Sequence, residues 1–412
     1  MTVSNIKNGY KQTEIGVIPE DWQNKKLEEI CHLSKIRLNP VTSSNNFKCV
    51  ELEHLSQGTG RLLGYIDSSE QLSQKTFFKK GDVLFGKLRP YLKKFLFPTF
   101  DGVCSSEIWV LNSINNIESK WLYYLIQTDK VLEAANQSTG TKMPRAEWNI
   151  VGNVSIPIPP TKAEQSAIAI ALSDTDSLIT GLEQLIAKKR AIKQGAMEEL
   201  LTGKRRLPGF SGEWEELNME ENSILKARIG WQGLTTVEYL TIGDYYLITG
   251  TDFCNGKINW TSCCYVNENR YKQDKNIQLQ INDILLTKDG TIGKVGYVNF
   301  LPGPATLNSG VFVIRPKNNS YYPRFFYYIL MSGIFDDFLV KLKAGSTISH
   351  LYQKDFVNFT FMVPKIEEQT AIAEILSDMD TEIESLELKL EKYKKIKQGM
   401  MQELLTGRTR LI

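Results

Sequence analysis

Several signals are scarce in this 412-residue sequence, and each scarcity excludes a class of protein. Apolar runs are short: none reaches the ~18 residues of a membrane-spanning helix, so a helical membrane protein is excluded. The first residues, Met1-Thr2-Val3-Ser4-Asn5-Ile6-Lys7, hold no apolar signal region, so secretion is not expected. Cys31, Cys49, Cys104, Cys254, Cys263 and Cys264 form no CxxC pair. They read as reduced thiols of a cytoplasmic protein, neither a disulfide framework nor a zinc site. His32, His54 and His350 are the only histidines, and none belongs to an HxxxH or Cys/His array. The strings GxSxG and GxGxxG are missing, as is the Asn-Pro-Pro-aromatic string of amino-methyl transfer. Glu387-Leu388-Lys389 resembles half of a nuclease motif, but it lies in a heptad stretch and reads as surface charge. No catalysis and no metal or cofactor are therefore expected of this chain itself.

Charge of one sign is also not in excess. Lys+Arg number 49 and Asp+Glu 47, a net charge of +2. The balance is +4 in residues 1–163, +1 in 164–206, −1 in 207–367 and −2 in 368–412. A nucleic-acid ligand would have to be held by local patches, not by bulk charge. With 42% hydrophobic and 23% charged residues the chain is globular, and its length calls for two or three domains.

What the sequence does contain is a long internal repeat. Residues 164–207, EQSAIAIALSDTDSLITGLEQLIAKKRAIKQGAMEELLTGKRRL, align without a gap on 368–411, EQTAIAEILSDMDTEIESLELKLEKYKKIKQGMMQELLTGRTRL, with 25 identities in 44 positions at an offset of 204. Both copies carry steps of four and three. The second reads Ile372, Leu376, Met379, Ile383, Leu386, Leu390, Tyr393, Lys397, Met400 and Leu404. The first reads Ile168, Leu172, Thr175, Ile179, Leu182, Ile186, Lys189, Lys193, Ala196 and Leu200. A heptad seam sustained this long predicts two long helices packed as a coiled coil, each about 50–60 Å long. Ser173-Asp174 and Ser377-Asp378 are alternative caps that predict a short lead-in helix, and Thr202-Gly203 and Thr406-Gly407 mark the helix ends. Lys188, Lys189, Arg190, Lys193 and Lys392, Lys394, Lys395, Lys397 form a basic cluster on these helices. It reads first as a solvated face and second as a surface for spacer DNA or an acidic partner.

The segments before each helix echo one another. Pro19-Glu20-Asp21-Trp22 with Leu27 matches Pro208-Gly209-Phe210 with Trp214 and Leu217. The strand-like runs Gly81–Phe85 and Asn282–Leu286 each lead into a basic loop, Gly86–Lys94 and Thr287–Lys294. Aromatic helices follow at Trp121–Gln127 and Arg324–Met331, then Gly/Ser/Thr turns (138–142, 344–347) and Pro-punctuated strands. Short β-branched and aromatic runs between Gly, Pro and Asn turns predict an α+β fold with β-rich blocks. The expected order is a block at 1–160, a helical spacer at 161–206, a second block at 207–365 and a second spacer at 366–412. Antiparallel helices would make the whole a pseudo-two-fold internal repeat, with a block at either end of the helix pair.

GDVLFGKLRPYLKK at 81–94, the junctions IPIPPTKAEQSAIA at 156–169 and VPKIEEQTAIAEIL at 363–376, and the KQGxMxELLTG ends at 193–203 and 397–407, in this doubled order, resemble the specificity (S) subunits of type I restriction–modification enzymes. The resemblance covers nearly the whole chain. It implies two target recognition domains, each reading half of a bipartite site in double-stranded DNA. The helices would fix the spacing and dock two modification (methyltransferase) subunits, which in turn carry restriction subunits. S-adenosylmethionine, ATP and Mg would belong to those partners. The second block has TKDGTIGK at 287–294 where the first has LRPYLKK. On this reading Lys87, Arg89, Tyr91, Lys93 and Lys94 are candidate DNA contacts, with Lys142 and Arg145. In the second block they are Thr249, Asp252, Asn255, Lys257, Lys288, Thr291 and Lys294, with Ser346 and Thr347. Glycines let the backbone at 290–293 approach a phosphate, although Val295 after Lys294 excludes a P-loop. The competing reading is a coiled-coil adaptor that joins two ligand-binding domains and binds no DNA.

Overall fold

The computed structural model describes residues 8–137, 143–344 and 350–411. Two compact units form, Met1–Glu183 with Leu388–Ile412 and Gln184–Glu387. Each unit thus takes half of each of two 39-residue helices, Lys162–Leu200 and Ile366–Leu404. Lys142, Ser346 and Thr347 lie outside the described residues.

In the first unit the helices pair antiparallel. Glu164 meets Arg410, Asp176 meets Lys397 and Glu183 meets Lys394, so one number rises as the other falls. The second unit has the same order, with Arg206 on Glu368, Lys193 on Asp380 and Lys189 on Glu382. The heptad reading holds: all twenty register positions are buried or half-buried. Ile168, Leu172 and Leu404 enter the first unit's core, and Leu200, Ile372 and Leu376 the second's. Each such fully buried aliphatic side chain contributes about 1.5–3 kcal/mol.

The lead-in helix is not there. Both helices run unbroken through Ser173-Asp174 and Ser377-Asp378. The reason is that these hydroxyls are used sideways: Ser173 Oγ accepts from Lys120 Nζ at 2.6 Å and Ser377 Oγ from Arg324 Nη1 at 3.2 Å. The helices begin two residues after Pro160 and Pro364 instead. Gln165 Nε2 donates to the Pro159 carbonyl at 3.1 Å while its Oε1 accepts the Glu118 N–H at 2.8 Å. Gln369 does the same with Pro364 and the Tyr322 N–H, both at 2.8 Å. This accounts for the invariant Gln of the two junction strings. At the other end Gly203 and Gly407 take φ of +70° and +74°, a conformation that glycine adopts without cost. A Cβ on Gly407 would also come within 2.5 Å of Pro19 Cδ.

The β-rich parts share a plan. In the first unit a four-stranded sheet has the order Phe95–Leu96, Val83–Gly86, Ile108–Ser113, Cys31–Leu33. In the second the order is Val295–Tyr297, Ile284–Thr287, Val311–Pro316, Ser223–Ala227. The strands Val83–Gly86 and Ile284–Thr287 are buried throughout, which is why they read as unbroken apolar runs. A second sheet lies in each unit with one parallel pair, Gly102–Cys104 with Lys48–Val50 and Ala305–Leu307 with Tyr245–Ile248. The first unit's second sheet has five strands and includes Arg37–Leu38 and Lys75–Phe78, whereas the second unit's has three.

Aromatic helices Ser119–Leu125 and Pro323–Leu330 seat each sheet on its helix pair. Tyr124 Oη donates to Asp176 Oδ2 at 2.8 Å, and Asp176 Oδ1 is 2.7 Å from Lys397 Nζ. Tyr328, Asp380 and Lys193 repeat this arrangement, with the hydroxyl again at 2.8 Å. The seam lysines are thus a polar layer, each amino group also facing its tyrosine ring at 5.6 and 5.3 Å from the centroid.

Burial, reinforced by Asp176 and Asp380, pushes the Tyr124 and Tyr328 phenols well above their ordinary value of 10.0. Burial does the same to Tyr123, Tyr321 and Tyr327. A raised pKa means that the folded state keeps protons the unfolded chain releases. Stability is therefore complete below pH 10 and falls as pH rises beyond it, by about 1.4 kcal/mol per pH unit per phenol. Urea unfolding between pH 8 and 11 should show this loss. A midpoint constant to pH 11 would contradict it.

Candidate nucleic-acid interface

The loop after strand Val83–Gly86 is held rigidly. Lys87 N–H donates to Glu107 O at 2.9 Å, and Ala146 N–H donates to Lys87 O at 2.8 Å. Arg89 and Lys93 take left-handed φ of +52° and +50°, flanking the turn Pro90–Leu92, and Tyr91 is 53% exposed. Among the described residues the side chains of Lys87, Arg89 and Lys93 have no carboxylate partner, so their charges stay available to an anion. Two neighbours are spent internally. Lys94 Nζ donates to the Leu52 carbonyl at 2.6 Å. Arg145 grips Glu107 through Nε at 3.0 Å and Nη2 at 3.2 Å, an ion pair that holds its guanidinium above the usual arginine range.

In the second unit Thr287–Lys294 occupies the equivalent place. Its turn is closed by Thr287 Oγ1, which donates to the Thr291 carbonyl at 2.6 Å and accepts the Lys294 N–H at 2.9 Å. Gly290 and Gly293 have φ of +67° and +89°. Lys288 lies over the Phe312 ring at 5.3 Å, and Asp289 bonds the His350 ring, which packs on Tyr352. The Lys294 amino group and the Thr291 hydroxyl have no partner among the described residues.

In the polar loop at 249–257, Asp252 is turned inward, whereas Asn255 and Lys257 are exposed. Asp252 is buried and accepts from Thr249 N–H and Oγ1, both at 2.8 Å, and from Ser262 Oγ. A carboxylate committed to its own turn cannot read bases. Asn255 has φ +48°, and Lys257 Nζ pairs with Glu384 of the second long helix at 2.6 Å. Gly256 between them has φ +78°, and a Cβ there would collide with the Tyr327 hydroxyl. The first unit repeats this clip: Gly60 lies against the Tyr123 hydroxyl, and Arg61 bonds Glu183 and Thr180. Tyr123 and Thr180 stand 204 positions before Tyr327 and Glu384. Sequence comparison missed the clip because the two loops that supply the glycine and cation share no pattern around them.

The basic run on the helices is largely consumed as well. Lys189, Arg190, Lys193, Lys394 and Lys397 each pair with an acid of the other long helix within their own unit. Lys188, Lys392 and Lys395 are exposed. The cluster is therefore chiefly an interhelical clasp.

Two cations absent from the sequence-based set join Lys87. Lys35 and Arg37 lie where the chain crosses from one sheet of the first unit to the other, and they line one cleft with Lys87. A Lys-x-Arg pair between two short strands was the sequence signal, too common to single out.

Comparison with known proteins bears on this geometry. Residues 19–194 and 234–396 match the family model described as type I restriction modification DNA specificity domain. The MjaVIII type I specificity subunit of Methanocaldococcus jannaschii is 25% identical over 423 residues, covering 96% of this chain and 94% of its own. The putative MjaX specificity subunit of the same organism is 27% identical, covering 98% and 97%. A crystal structure of the type I S subunit from M. genitalium superposes with a TM-score of 0.60 at 17% identity, over 93% and 96% of the two chains, which places the fold. No described helix is long and apolar enough to cross a membrane. Both halves of the repeat are matched by the one model, and the chain belongs to the type I restriction–modification DNA specificity family.

Proposed function

We propose that this chain is the sequence-specific DNA-binding subunit of a type I restriction–modification complex. Each unit reads one half of a bipartite site, and the long helices set the separation and dock two modification subunits. The observation that carries this reading is the duplicated build. Each unit presents a rigid loop with unpaired cations after an equivalent buried strand, seated on the helix pair through an equivalent Tyr–Asp–Lys layer. Phosphate contacts from Lys87, Arg89, Lys93 and Lys294 give affinity and orientation, while the bases are read by the variable loops around them. Methyl transfer and cleavage, with S-adenosylmethionine, ATP and Mg, belong to the partner subunits, and the complex works in the cytoplasm. Lys257, Lys94, Arg145 and Asp252 hold structure on this reading.

The test is selection from random-sequence DNA with the chain assembled with its modification subunit. The selected pool should contain two short conserved blocks at a constant separation. Affinity should fall steeply with salt, as released counterions require. A pool without a bipartite pattern, or affinity indifferent to salt, would favour the adaptor reading instead.

A further inference from the structure

A cleft of about 350 Å³ opens in the first unit where its two sheets meet. Its walls carry Lys35, Arg37 and Lys87, the Ser34 and Ser106 hydroxyls, and one side of Trp109. Among the described residues no carboxylate lines it. The nearest acid in sequence, Glu107, is turned to Arg145.

Three cations gathered without a counter-ion repel one another. Here the fold holds the frame that gathers them. The segment crossing between sheets is tied to both: Ser34 N–H donates to Val110 O at 2.8 Å, and Phe77 N–H donates to Ile36 O at 3.0 Å. Arg37 Nη1 is aimed by Thr76 Oγ1. Lys87 is fixed by the backbone bonds described above. Trp109 is set by stacking on Phe85 at 5.7 Å and by an edge contact with Trp148 at 5.5 Å. Preorganised donors around a space free of acid form a receptor for an anion, and hydroxyls beside cations suit phosphate oxygens.

The second unit is built differently at this place. Its second sheet has three strands, and the segment before Ile284–Thr287 joins it only through Leu279 N–H to the Ala305 carbonyl at 2.9 Å instead of as a strand like Lys75–Phe78. There the chain leaving the strand Ser223–Ala227 turns Arg228 inward, 2% exposed, to the Leu307 carbonyl at 2.8 Å and the Thr306 hydroxyl.

We infer that this cleft is a phosphate site that clamps one backbone phosphodiester of the DNA beside the first unit's half-site, with Lys35, Arg37 and Lys87 as donors and Trp109 as the apolar floor for the adjoining sugar. The inference rests on the DNA-binding reading proposed above. Because the contact is to backbone, it strengthens binding without selecting bases.

The test uses the chain assembled with its modification subunits. DNA affinity is measured against salt for the parent, for Lys35→Ala/Arg37→Ala, and for Lys79→Ala/Lys80→Ala as an exposed cation control outside the cleft. The cleft variant should bind all sequences more weakly, with a log–log salt slope shallower by about 1 and an unchanged selected sequence. Lys35→Arg/Arg37→Lys should restore the slope. The control pair should leave the slope as in the parent. A cleft variant with the parental slope overturns the inference while leaving the DNA-binding reading intact. Failure of the parent to bind DNA overturns both. Titration with adenosine monophosphate and with inorganic phosphate separates the other source of such an anion. Saturable binding of either at micromolar concentration, lost in the cleft variant while DNA affinity is not, would make the cleft a small-molecule site and refute the DNA assignment.

Discussion

Arg410→Ala is expected to destabilise the first unit by about 3 kcal/mol, measured by urea unfolding. Glu164 has no exposed side-chain area, and Arg410 satisfies both its oxygens, through Nε at 2.8 Å and Nη2 at 2.9 Å. Removing the guanidinium leaves a buried carboxylate with only the Trp22 indole N–H, at 3.3 Å. Stranding one member of a buried ion pair costs about 3–5 kcal/mol, and the 28% exposure of Arg410 argues for the lower end. Asp21 also touches Arg410 but is itself half exposed, so Asp21→Ala should cost less than about 1 kcal/mol. Glu164→Gln combined with Arg410→Ala should recover part of the loss, because the stranded charge is gone. Arg206 stands to Glu368 as Arg410 does to Glu164, at 2.6–2.7 Å, so Arg206→Ala should behave alike in the second unit. A change below 1 kcal/mol for both arginines would show that the pairs do not secure the helix ends.

The second large effect concerns separation of the half-sites. Seven residues inserted between Glu183 and Gln184, matched by seven between Glu387 and Leu388, should lengthen both helices by about 10 Å without breaking a contact within either unit. Every interhelical pair named above lies wholly on one side of these points, and seven residues keep the heptad phase. The assembled complex should then select the same bases at a separation about 3 base pairs longer, at ~3.4 Å per pair. Four residues inserted in one helix at 188–194 are expected to act differently, because Lys189, Arg190 and Lys193 are paired there with Glu382, Glu387 and Asp380. That insertion should lower stability by unseating the polar layer. An unchanged separation after the matched insertion would remove the spacing role from the helices.

The repeat, its heptad register, the helix ends at Thr-Gly and the α+β character were all legible in the chain. Each depends on local periodicity or on a residue with a special backbone preference, and Leu172, Leu376, Gly203 and Gly407 behave as their positions dictate. The resemblance carried by the junction strings placed the family, and the Glu-Gln pairs in those strings prove to be the groups that tie each long helix to the start of an aromatic helix and to an arginine just past the end of a long helix. The surroundings of charged side chains were less legible than the apolar pattern. Asp252, Lys257, Lys94 and Arg145 look in sequence like solvent-facing ligands for DNA. Their partners are Thr249, Glu384, the Leu52 carbonyl and Glu107, distant in sequence for all but the first.

Periodicity is a property of neighbours along the chain, so the amino-acid order alone determined the two long helices, their mutual seam and the doubling of the molecule. Whether a given lysine or arginine is free or spent depends on which carboxylate or carbonyl lies within about 3 Å, and only chain crossings set that distance. The tertiary structure therefore decided which cations remain open to an anion. It brought Lys35, Arg37 and Lys87 together, and it closed Lys193 and Lys397 against Asp380 and Asp176.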